Sequence, residues 1–472
     1  MISATDFFCN EQEYSDLDID GALERLSRAI RCKTIHTGDP ATTDFAPFSA
    51  LQEHMRNSYP CVFRTGTFEL IGHSVLITIP GTDPSLRPCL YMSHQDVVPV
   101  VPGTEGDWKY PPFSGTVAEG YIWGRGTLDI KQQVFGILEA AEYLLARGVS
   151  FARTAYLAFG EDEETTNTGA LAIANTLKQR GVTLEFVLDE GGGKFDVGDP
   201  FGAPGVHVCE IDLMEKGYAD LELSAHSAGG HSSRPFGGTS LGRLAQAIAD
   251  IVEMPVEYRL SPLVQEMFRS LAPYITEEPL KTLAGDVSGN ASQIAEYCGR
   301  DAHLFPFVCT TVAPTVITGS SAACNVMPQD MQAVINFRIA EGDCAQALME
   351  RCQKAVKAEG VALRFRQAND PSRTARFDTA GYEAVKASML HYYPRVVFFP
   401  SMTVGATDAR QYEEICDTCI RCSPFIGETA DVVSGMHGTN ERLSVRAYAQ
   451  GIRVLIRLMK QMNAGGDGPL GI

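Results

Sequence analysis

Short apolar runs that alternate with amphipathic segments constrain the fold of this chain more than any other feature of its sequence. Four runs have the length and composition of buried strands, at residues 74–80, 88–94, 154–159 and 185–189. Helical spacing of apolar side chains marks two stretches among them, at residues 129–147 and 169–180. This alternation predicts an α/β domain whose central sheet is mostly parallel and flanked by helices.

The pattern changes near residue 213 and returns near residue 369. Polar and apolar residues alternate over 217–226, 310–318 and 331–339, and helical segments cover 240–253 and 343–358. Two helices on one face of an antiparallel sheet fit this part of the chain. We therefore predict a split catalytic domain, residues 1–212 and 369–472, with an inserted α+β lid domain at residues 213–368.

Charge and hydropathy exclude some classes of partner. The formal net charge of −19 repels phosphate backbones, so we expect no nucleic-acid partner. No stretch approaches the ~20 apolar residues of a membrane span, and the first thirty residues lack the basic and apolar pattern of a signal peptide. We expect a protein without a membrane partner.

The thirteen cysteines are scattered and odd in number, which fits reduced thiols in a cytoplasm better than a disulfide framework. Cys416, Cys419 and Cys422 have the spacing of a partial iron–sulfur motif, but no fourth cysteine follows at the usual distance. We interpret these three as buried free thiols and predict a cytoplasmic location.

Side chains that can bind metal follow the predicted strands or precede the predicted helices. They are His94 and Asp96, Asp129, Glu163 and Glu164, Asp189, and His437. Each has a simpler explanation by itself: a structural histidine, a helix N-cap or a solvated acidic loop. Together, two histidines and several carboxylates without a cysteine are the ligand set of a hydrolytic zinc site.

Six motifs occur in an order that resembles a known family. They are HQDVVPV (94–100), WGRGTLDIK (123–131), FGEDEE (159–164), VLDEGG (187–192), GGHSSRP (229–235) and HGTNER (437–442). The chain is similar, from about residue 20 to 460, to the di-zinc metallopeptidase family of aminoacylases, carboxypeptidase S, glutamate carboxypeptidases and succinyl-diaminopimelate desuccinylase. The wording of the motifs is most similar to the carboxypeptidase S-like branch.

The resemblance implies two zinc ions per subunit, with cobalt or manganese as alternatives. It assigns one zinc to His94 and Asp189, the other to Glu164 and His437, and the bridge between them to Asp129. It further implies that Asp96 orients His94, that Glu163 is the general base and acid, and that the Asp129–Ile130 peptide bond is cis.

In the lid, the resemblance implies that His231 stabilises the transition state, in many relatives across a dimer interface. Asn325 and Arg338 match residues that bind the substrate carboxylate, and Gly405 and Thr407 match the loop that closes the pocket. We therefore expect a homodimer. The sequence departs from the family where Thr165-Thr166-Asn167 follows the paired glutamates, because relatives often carry glycines there, and segment 254–309 exceeds a minimal lid.

These matches predict a hydrolase that cleaves an amide or peptide bond next to a free carboxylate, as a carboxypeptidase or dipeptidase does. The alternative is an N-acyl-amino-acid amidohydrolase, or an enzyme that runs that reaction in reverse as a condensation. In both cases the partner is a small molecule, a dipeptide or an N-acyl amino acid. A metal-binding protein without catalysis is a more remote alternative, against which the intact Glu163 argues.

Overall fold

The structure is a computed structural model that describes residues 7–192, 196–321, 323–426 and 435–463. Its helices are α1 (Ile19–Ile30), α2 (Ala46–Ser58), α3 (Pro60–Thr65), α4 (Lys131–Ala146), α5 (Thr168–Gln179), α6 (Ser240–Val252), α7 (Pro262–Leu271), α8 (Leu280–Ala284), α9 (Ala291–Cys298), α10 (Phe305–Val308), α11 (Ala345–Ala355), α12 (Ala380–Tyr392) and α13 (Val445–Asn463). Its strands are β1 (Thr67–Ile71), β2 (Ser74–Ile79), β3 (Cys89–His94), β4 (Thr116–Ala118), β5 (Tyr121–Trp123), β6 (Ala155–Gly160), β7 (Phe186–Asp189), β8 (Asp196–Val197), β9 (His207–Glu215), β10 (Gly217–His226), β11 (Gly230–His231), β12 (Thr311–Thr318), β13 (Val326–Met327), β14 (Asp330–Ile339), β15 (Val361–Asn369), β16 (Val396–Thr403), β17 (Cys419–Arg421) and β18 (Arg442–Ser444).

A large sheet forms the centre of the molecule. Its strand order in the described residues is β1-β2-β6-β3-β7-β17-β9-β16, with β8 paired to β9. The middle strands β6, β3, β7 and β17 are parallel to one another. Strands β3 and β6 are buried along their whole length, as expected for a parallel sheet covered on both faces. The predicted α/β architecture with a mostly parallel sheet is confirmed.

Parallel pairing brings the carboxyl ends of the middle strands to one edge. In register, His94 of β3 lies opposite Gly160 of β6, and Tyr91 of β3 lies opposite Leu188 of β7. Residues that follow these three strands therefore start from neighbouring positions, which is the usual location of a ligand site in such sheets.

A second, antiparallel sheet has the order β12-β14-β10-β15. Helices α6 and α11 pack on it and share a separate apolar core with it, which includes Leu221, Leu244, Ile335 and Leu348. This arrangement confirms the predicted α+β lid architecture, two helices on an antiparallel sheet. The boundaries at 212/213 and 368/369 stay a prediction.

The segment between helix α6 and strand β12 packs on the other part of the molecule. Helix α7 buries Leu263, Met267 and Phe268 in the apolar core that also contains Val208 of β9 and Phe399 of β16. The buried ammonium group of Lys216, between β9 and β10, donates hydrogen bonds to the carbonyl oxygens of Pro306 (2.8 Å) and Cys309 (2.6 Å). This part of the predicted lid range therefore belongs by its packing to the core of the large sheet.

The three cysteines with iron–sulfur-like spacing are buried free thiols. Burial raises the pKa of the Cys422 thiol well above its usual value, as expected for an unreactive interior cysteine. In the described part of the chain, no helix combines the length and the apolar character that crossing a bilayer requires. The cytoplasmic location stays a prediction.

Two glycines allow helices α4 and α13 to approach each other around one aromatic ring. A Cβ atom at Gly136 of α4 would lie 2.1 Å from Phe425, and one at Gly451 of α13 would lie 2.2 Å from the same ring. Such distances are far inside van der Waals contact, so the ring fills the space that the two missing side chains leave. Phe425 is buried in this position.

We predict that Gly451→Ala lowers the free energy of unfolding by about 1–3 kcal/mol, because the added methyl group overpacks the ring of Phe425. Urea unfolding followed by circular dichroism measures this loss. The control is Gly106→Ala, because no described residue beyond its neighbours in the chain has an atom within 4 Å of a Cβ atom there. Adding Phe425→Leu to Gly451→Ala should relieve part of the strain; a fully additive loss in the double variant would contradict this account.

Candidate metal centre

Acidic and imidazole side chains from distant parts of the chain converge at the carboxyl edge of the large sheet. Each is delivered by the end or the start of an element: His94 ends β3, Glu163 and Glu164 follow β6, Asp189 ends β7, Glu190 follows it, Asp129 precedes α4, and His437 precedes β18. The first five of these depend on the parallel register of β6, β3 and β7. Asp129 and His437 join them from outside the sheet.

The first group of side chains surrounds His94. Its Nε2 atom lies 3.1 Å from Oδ1 of Asp129 and 3.3 Å from Oε1 of Glu190. The three residues offer one nitrogen and two carboxylate oxygens, all within 4.8 Å of one another. His94 and Asp129 are buried.

The second group surrounds His437. Its Nε2 atom lies 2.9 Å from Oδ2 of Asp129 and 3.2 Å from Oε2 of Glu164. Asp129 therefore directs one oxygen to each histidine and belongs to both groups. Burial acts to raise the pKa of Asp129, but hydrogen bonds from His437 and His94 bring it below its usual value. The Asp129–Ile130 peptide bond is cis, as predicted.

The side chains of the two groups carry more negative charge than the neighbouring protein groups neutralise, as expected at a site that binds cations. Oε1 of Glu164 is buried and has no hydrogen-bond partner in the described part of the chain. Hydrogen bonds to Asp129 and Glu164 raise the pKa of His437 to about 10, which reflects the concentration of negative charge. Nitrogen and oxygen donors without thiolate, three in each group, match hydrolytic zinc sites, which keep a position open.

Asp96 connects the first histidine to the glutamate loop. One of its oxygens lies 3.2 Å from Nδ1 of His94. The same carboxylate accepts hydrogen bonds from the backbone N–H groups of Glu163 (3.1 Å) and Glu164 (3.0 Å). Asp96 is fully buried, so one side chain fixes both the imidazole ring and the loop that carries the two glutamates.

Glu163 borders the first group without belonging to it. Its Oε2 atom lies 4.0 Å from Nε2 of His94. Burial, and next the charge of Glu190, raises the pKa of Glu163 well above its usual value. A carboxyl group at the border of a metal site can accept a proton and return it.

The structure places Glu190, and not Asp189, beside His94. Both oxygens of Asp189 accept backbone hydrogen bonds, from Glu190 N–H at 2.8 Å and from Ala409 N–H at 2.7 Å. Burial raises the pKa of Glu190 to about 8. Glu190, which follows β7, has a carboxylate oxygen within 4.8 Å of ligand atoms of both His94 and Asp129. The sequence assignment of Asp189 is therefore not supported by this geometry.

Arg125 and Glu441 connect the segments that carry Asp129 and His437, and neither is among the residues predicted for the site. Oε1 of Glu441 accepts the backbone N–H groups of Gly126 (2.9 Å), Leu128 (2.8 Å) and Asp129 (3.2 Å). Its other oxygen binds Arg125, which also donates to the carbonyl oxygen of His437 at 3.1 Å. Arg125 lies in the motif WGRG and Glu441 in the motif HGTNE, so their positions within these motifs could have indicated a role at the site.

The structure brings two of the lid candidates together. His231 in β11 lies opposite Val326 of β13, and the adjacent Asn325 accepts a hydrogen bond from Ser232 N–H through its backbone oxygen at 2.9 Å. Nδ1 of His231 lies 2.8 Å from the hydroxyl of Ser233. His231 is exposed in the single chain.

Arg338 lies far from this pair, near the other end of the lid sheet. It is paired across the sheet with Tyr218, and its guanidinium lies 4.9 Å from the centre of the Tyr218 ring. Asp330, at the start of β14, is separated from Arg338 by eight residues, or about 26 Å along a strand. His231 and Asn325 belong to the segments of β11 and β13, and the chain runs from Asn325 to Asp330, at the opposite end of β14 from Arg338.

The loop with Gly405 and Thr407 closes against the large sheet. Thr407 is buried, and its hydroxyl donates to Glu215 at 2.8 Å; the same Glu215 oxygen accepts from Arg421 at 2.6 Å. Gly405 is half-buried. Because the Thr407 hydroxyl is committed to this interior network, the geometry does not support a side-chain contact with substrate.

Comparison with known proteins places the chain in a family. The model of peptidase family M20/M25/M40 matches residues 90–461. An N-fatty-acyl-amino acid synthase/hydrolase of Danio rerio, PM20D1.1, is 35% identical over 424 residues, which cover 87% of this chain and 81% of that protein. A probable carboxypeptidase S-like 2 of Dictyostelium discoideum is 30% identical over 457 residues, 94% of this chain and 85% of that protein.

Solved structures share the fold at lower identity. A metallo-carboxypeptidase, Sso-CP2 of Sulfolobus solfataricus, superposes with a TM-score of 0.67 at 18% identity and covers 94% of this chain and 99% of that chain. Human carnosine dipeptidase 1 superposes with a TM-score of 0.65 at 16% identity and covers 96% of this chain and 98% of that chain. The chain therefore belongs to peptidase family M20/M25/M40 and is a metallohydrolase of amide bonds.

Proposed function

We propose that the chain cleaves an amide or peptide bond next to a free carboxylate, as a carboxypeptidase or dipeptidase, at a centre of two zinc ions. The observation that carries this proposal is the position of Asp129, whose two oxygens face two separate groups of three ligand atoms. A carboxylate shared in this way suits a bridge between two cations. Glu163, with its raised pKa, borders the same space.

The ligand set that we propose differs from the sequence prediction in one residue. His94, Glu190 and Asp129 would hold one zinc ion, and Glu164, His437 and Asp129 would hold the other. Asp189 instead anchors the backbone at Ala409. Zinc is preferred because the donors are nitrogen and oxygen atoms of the borderline type, and manganese and cobalt accept similar sets.

When bound, the two cations supply Lewis acidity that activates water and polarises the scissile carbonyl group. Glu163 takes the proton of the attacking water and returns it to the leaving nitrogen, which completes hydrolysis without a covalent enzyme intermediate. Asp96 keeps Glu163 and His94 in place through the contacts described above. His231 donates a hydrogen bond to the oxyanion that develops on the substrate.

Arg338 and Asn325 bind the free carboxylate of the substrate and so select the bond that is cleaved. The planar guanidinium of arginine can hold both oxygens of a carboxylate. The Tyr218 ring beneath Arg338 fixes the plane of this group.

A second candidate is the hydrolysis of N-acyl amino acids, or their synthesis in reverse. The relative of Danio rerio at 35% identity, described as an N-fatty-acyl-amino acid synthase/hydrolase, favours it. Both reactions use the same centre and the same free carboxylate. They differ in the group on the other side of the bond, a peptide or an acyl chain.

We further propose a homodimer in which His231 and Asn325 serve the centre of the partner subunit. Three observations on the lid support this arrangement. Arg338 lies about 26 Å along β14 from Asp330, the end of the strand that follows Asn325 in the chain. Phe236, five residues after His231, is fully exposed. The edge strand β12 exposes Val316 and Ile317. Exposed apolar residues of this kind mark interaction surfaces.

We predict that N-blocked dipeptides and N-acyl amino acids with a free carboxylate are hydrolysed, and that their amidated counterparts lose about 10- to 100-fold in kcat/KM. Release of the free amine measures turnover on both substrate series. The ratio of the two series decides between peptide and acyl substrates. Equal hydrolysis of amidated and free substrates would contradict the proposed carboxylate recognition, and chelated enzyme is the negative control.

Three isosteric substitutions separate the roles of the acids at the centre. We predict that Glu190→Gln loses bound zinc, whereas Asp189→Asn keeps it. Because an amide has one acceptor oxygen, Asp189→Asn gives up one of the two backbone hydrogen bonds and should lower the melting temperature without removing the metal. Glu163→Gln should retain both ions and lose about 10²- to 10⁴-fold in kcat, because an amide cannot accept the proton. Metal content by mass spectrometry and initial rates measure the two effects independently.

The opposite result has a clear meaning for the ligand assignment. If Asp189→Asn lost zinc and Glu190→Gln kept two zinc ions per subunit, Asp189 and not Glu190 would be the ligand. Near-normal turnover of Glu163→Gln would remove Glu163 from the proposed chemistry.

The dimer proposal predicts complementation between two inactive variants. In a mixture of His231→Ala and Glu163→Gln subunits, a mixed dimer has one complete centre, because the Glu163→Gln subunit supplies its His231 to the other. Equal mixing and exchange should restore about a quarter of wild-type activity, since half of the dimers are mixed and each carries one active site of two. A mixture as inactive as its components would show that His231 acts within its own subunit or not at all.

A further inference from the structure

The loop that follows the paired glutamates contains an asparagine in an unusual backbone conformation. Asn167 has φ of 55° and precedes helix α5 directly. Left-handed backbone favours glycine, and asparagine is among the few other residues that adopt it readily. Asn167 therefore keeps a backbone conformation that favours glycine and adds an amide side chain there.

The amide of Asn167 is not used to cap the helix that it precedes. Asp162 caps α5 instead, because its carboxylate accepts the backbone N–H groups of Thr168 (2.9 Å) and Gly169 (2.8 Å). Asn167 itself makes no side-chain hydrogen bond to the helix. Its side chain is therefore available for contacts outside α5.

Those contacts are with two carboxyl groups. Nδ2 of Asn167 lies 3.0 Å from Oδ1 of Asp408 and 3.5 Å from Oε1 of Glu163. An amide nitrogen carries two hydrogens, so it can donate to both acceptors at once. The other oxygen of Glu163, Oε2, is the one that faces His94.

Asp408 is a rigid support for this amide. It is 1% exposed and lies so close to the end of β6 that a Cβ atom at Gly160 would be 2.8 Å from its Oδ2 atom. The next residue, Ala409, donates its backbone N–H to Asp189 at 2.7 Å. The backbone around Asp408 is thus tied to β7, and its side chain is enclosed beside β6.

We propose that Asn167 is a positioning residue for Glu163. Supported by Asp408, its amide holds one oxygen of Glu163 and thereby leaves the other directed at the centre. This inference rests on the proposed role of Glu163 as the group that transfers the proton. Small displacements of such a group lower the rate of the chemical step more than they lower substrate binding.

The first test removes the amide and keeps the backbone. Asn167→Gly should fold normally, because glycine accepts the left-handed conformation and the helix cap belongs to Asp162. We expect kcat to fall about 10- to 100-fold, with KM and zinc content within about twofold of wild type. The matched control is Asn10→Gly, since Asn10 also has φ of 55° and bonds His391 on α12, away from the centre.

The second test exchanges the two partners, in the double variant Asn167→Asp with Asp408→Asn. The amide introduced by Asp408→Asn can donate to the carboxylate introduced by Asn167→Asp, so the bond between the two positions is restored. Thermal stability should therefore recover relative to Asn167→Asp alone. Position 167 then presents only acceptors to Glu163, so kcat should stay low. Recovery of kcat together with stability would show a merely structural role and would overturn the proposal.

Glu163→Gln separates a failure of this inference from a failure of the proposed function. If Glu163→Gln is inactive while Asn167→Gly keeps kcat within twofold of wild type, the positioning role of Asn167 is wrong and the role of Glu163 stands. If Glu163→Gln is fully active, both are wrong. Low kcat in Asn167→Gly and in the exchanged variant, with normal zinc content in both, supports the proposal.

Discussion

The buried pair of Arg125 and Glu441 is the interaction on which the rest of the centre depends. Asp129 faces two histidines only because its loop is fixed, and Glu441 fixes that loop by accepting three backbone hydrogen bonds. Arg125 then attaches the segment that carries His437. A buried acid would be costly without compensation, and here the arginine and the backbone N–H groups satisfy it. The two halves of the centre, far apart in the sequence, are joined in this way.

Much of the fold and of the centre was predictable from the sequence because it depends on local patterns. Apolar runs that end in polar residues placed His94, Glu163 and Glu164 at one edge of a parallel sheet, and the α/β and α+β architectures followed from the change in periodicity. The choice between Asp189 and Glu190 could not be made in this way. It depends on where β7 ends and on which of the two acids accepts the backbone N–H of Ala409. That hydrogen bond goes to Asp189, and Ala409 lies in a loop much later in the chain.

Other features depend on packing that no periodicity encodes. Helix α7 has an amphipathic pattern that would suit either sheet. In the structure it packs on the large sheet, against the apolar surface near Val208 and Phe399. Thr407 belongs to a loop that resembles a pocket wall, yet Glu215 and Arg421 draw its hydroxyl into the interior. In each case a residue far away in the sequence decides between two locally equivalent arrangements.

The division of labour between the two sheets has a consequence for the diversification of this family. The side chains that we assign to the cations come from the ends of the large sheet and from the loops before α4 and β18, whereas the groups that we assign to the substrate carboxylate and the oxyanion come from the lid. The lid has its own apolar core, and Arg410 of the other part donates a hydrogen bond to Asn369 at the end of β15 at 3.3 Å. An exchange of lids between relatives therefore changes substrate binding and the oxyanion contact together, while the metal ligands stay the same.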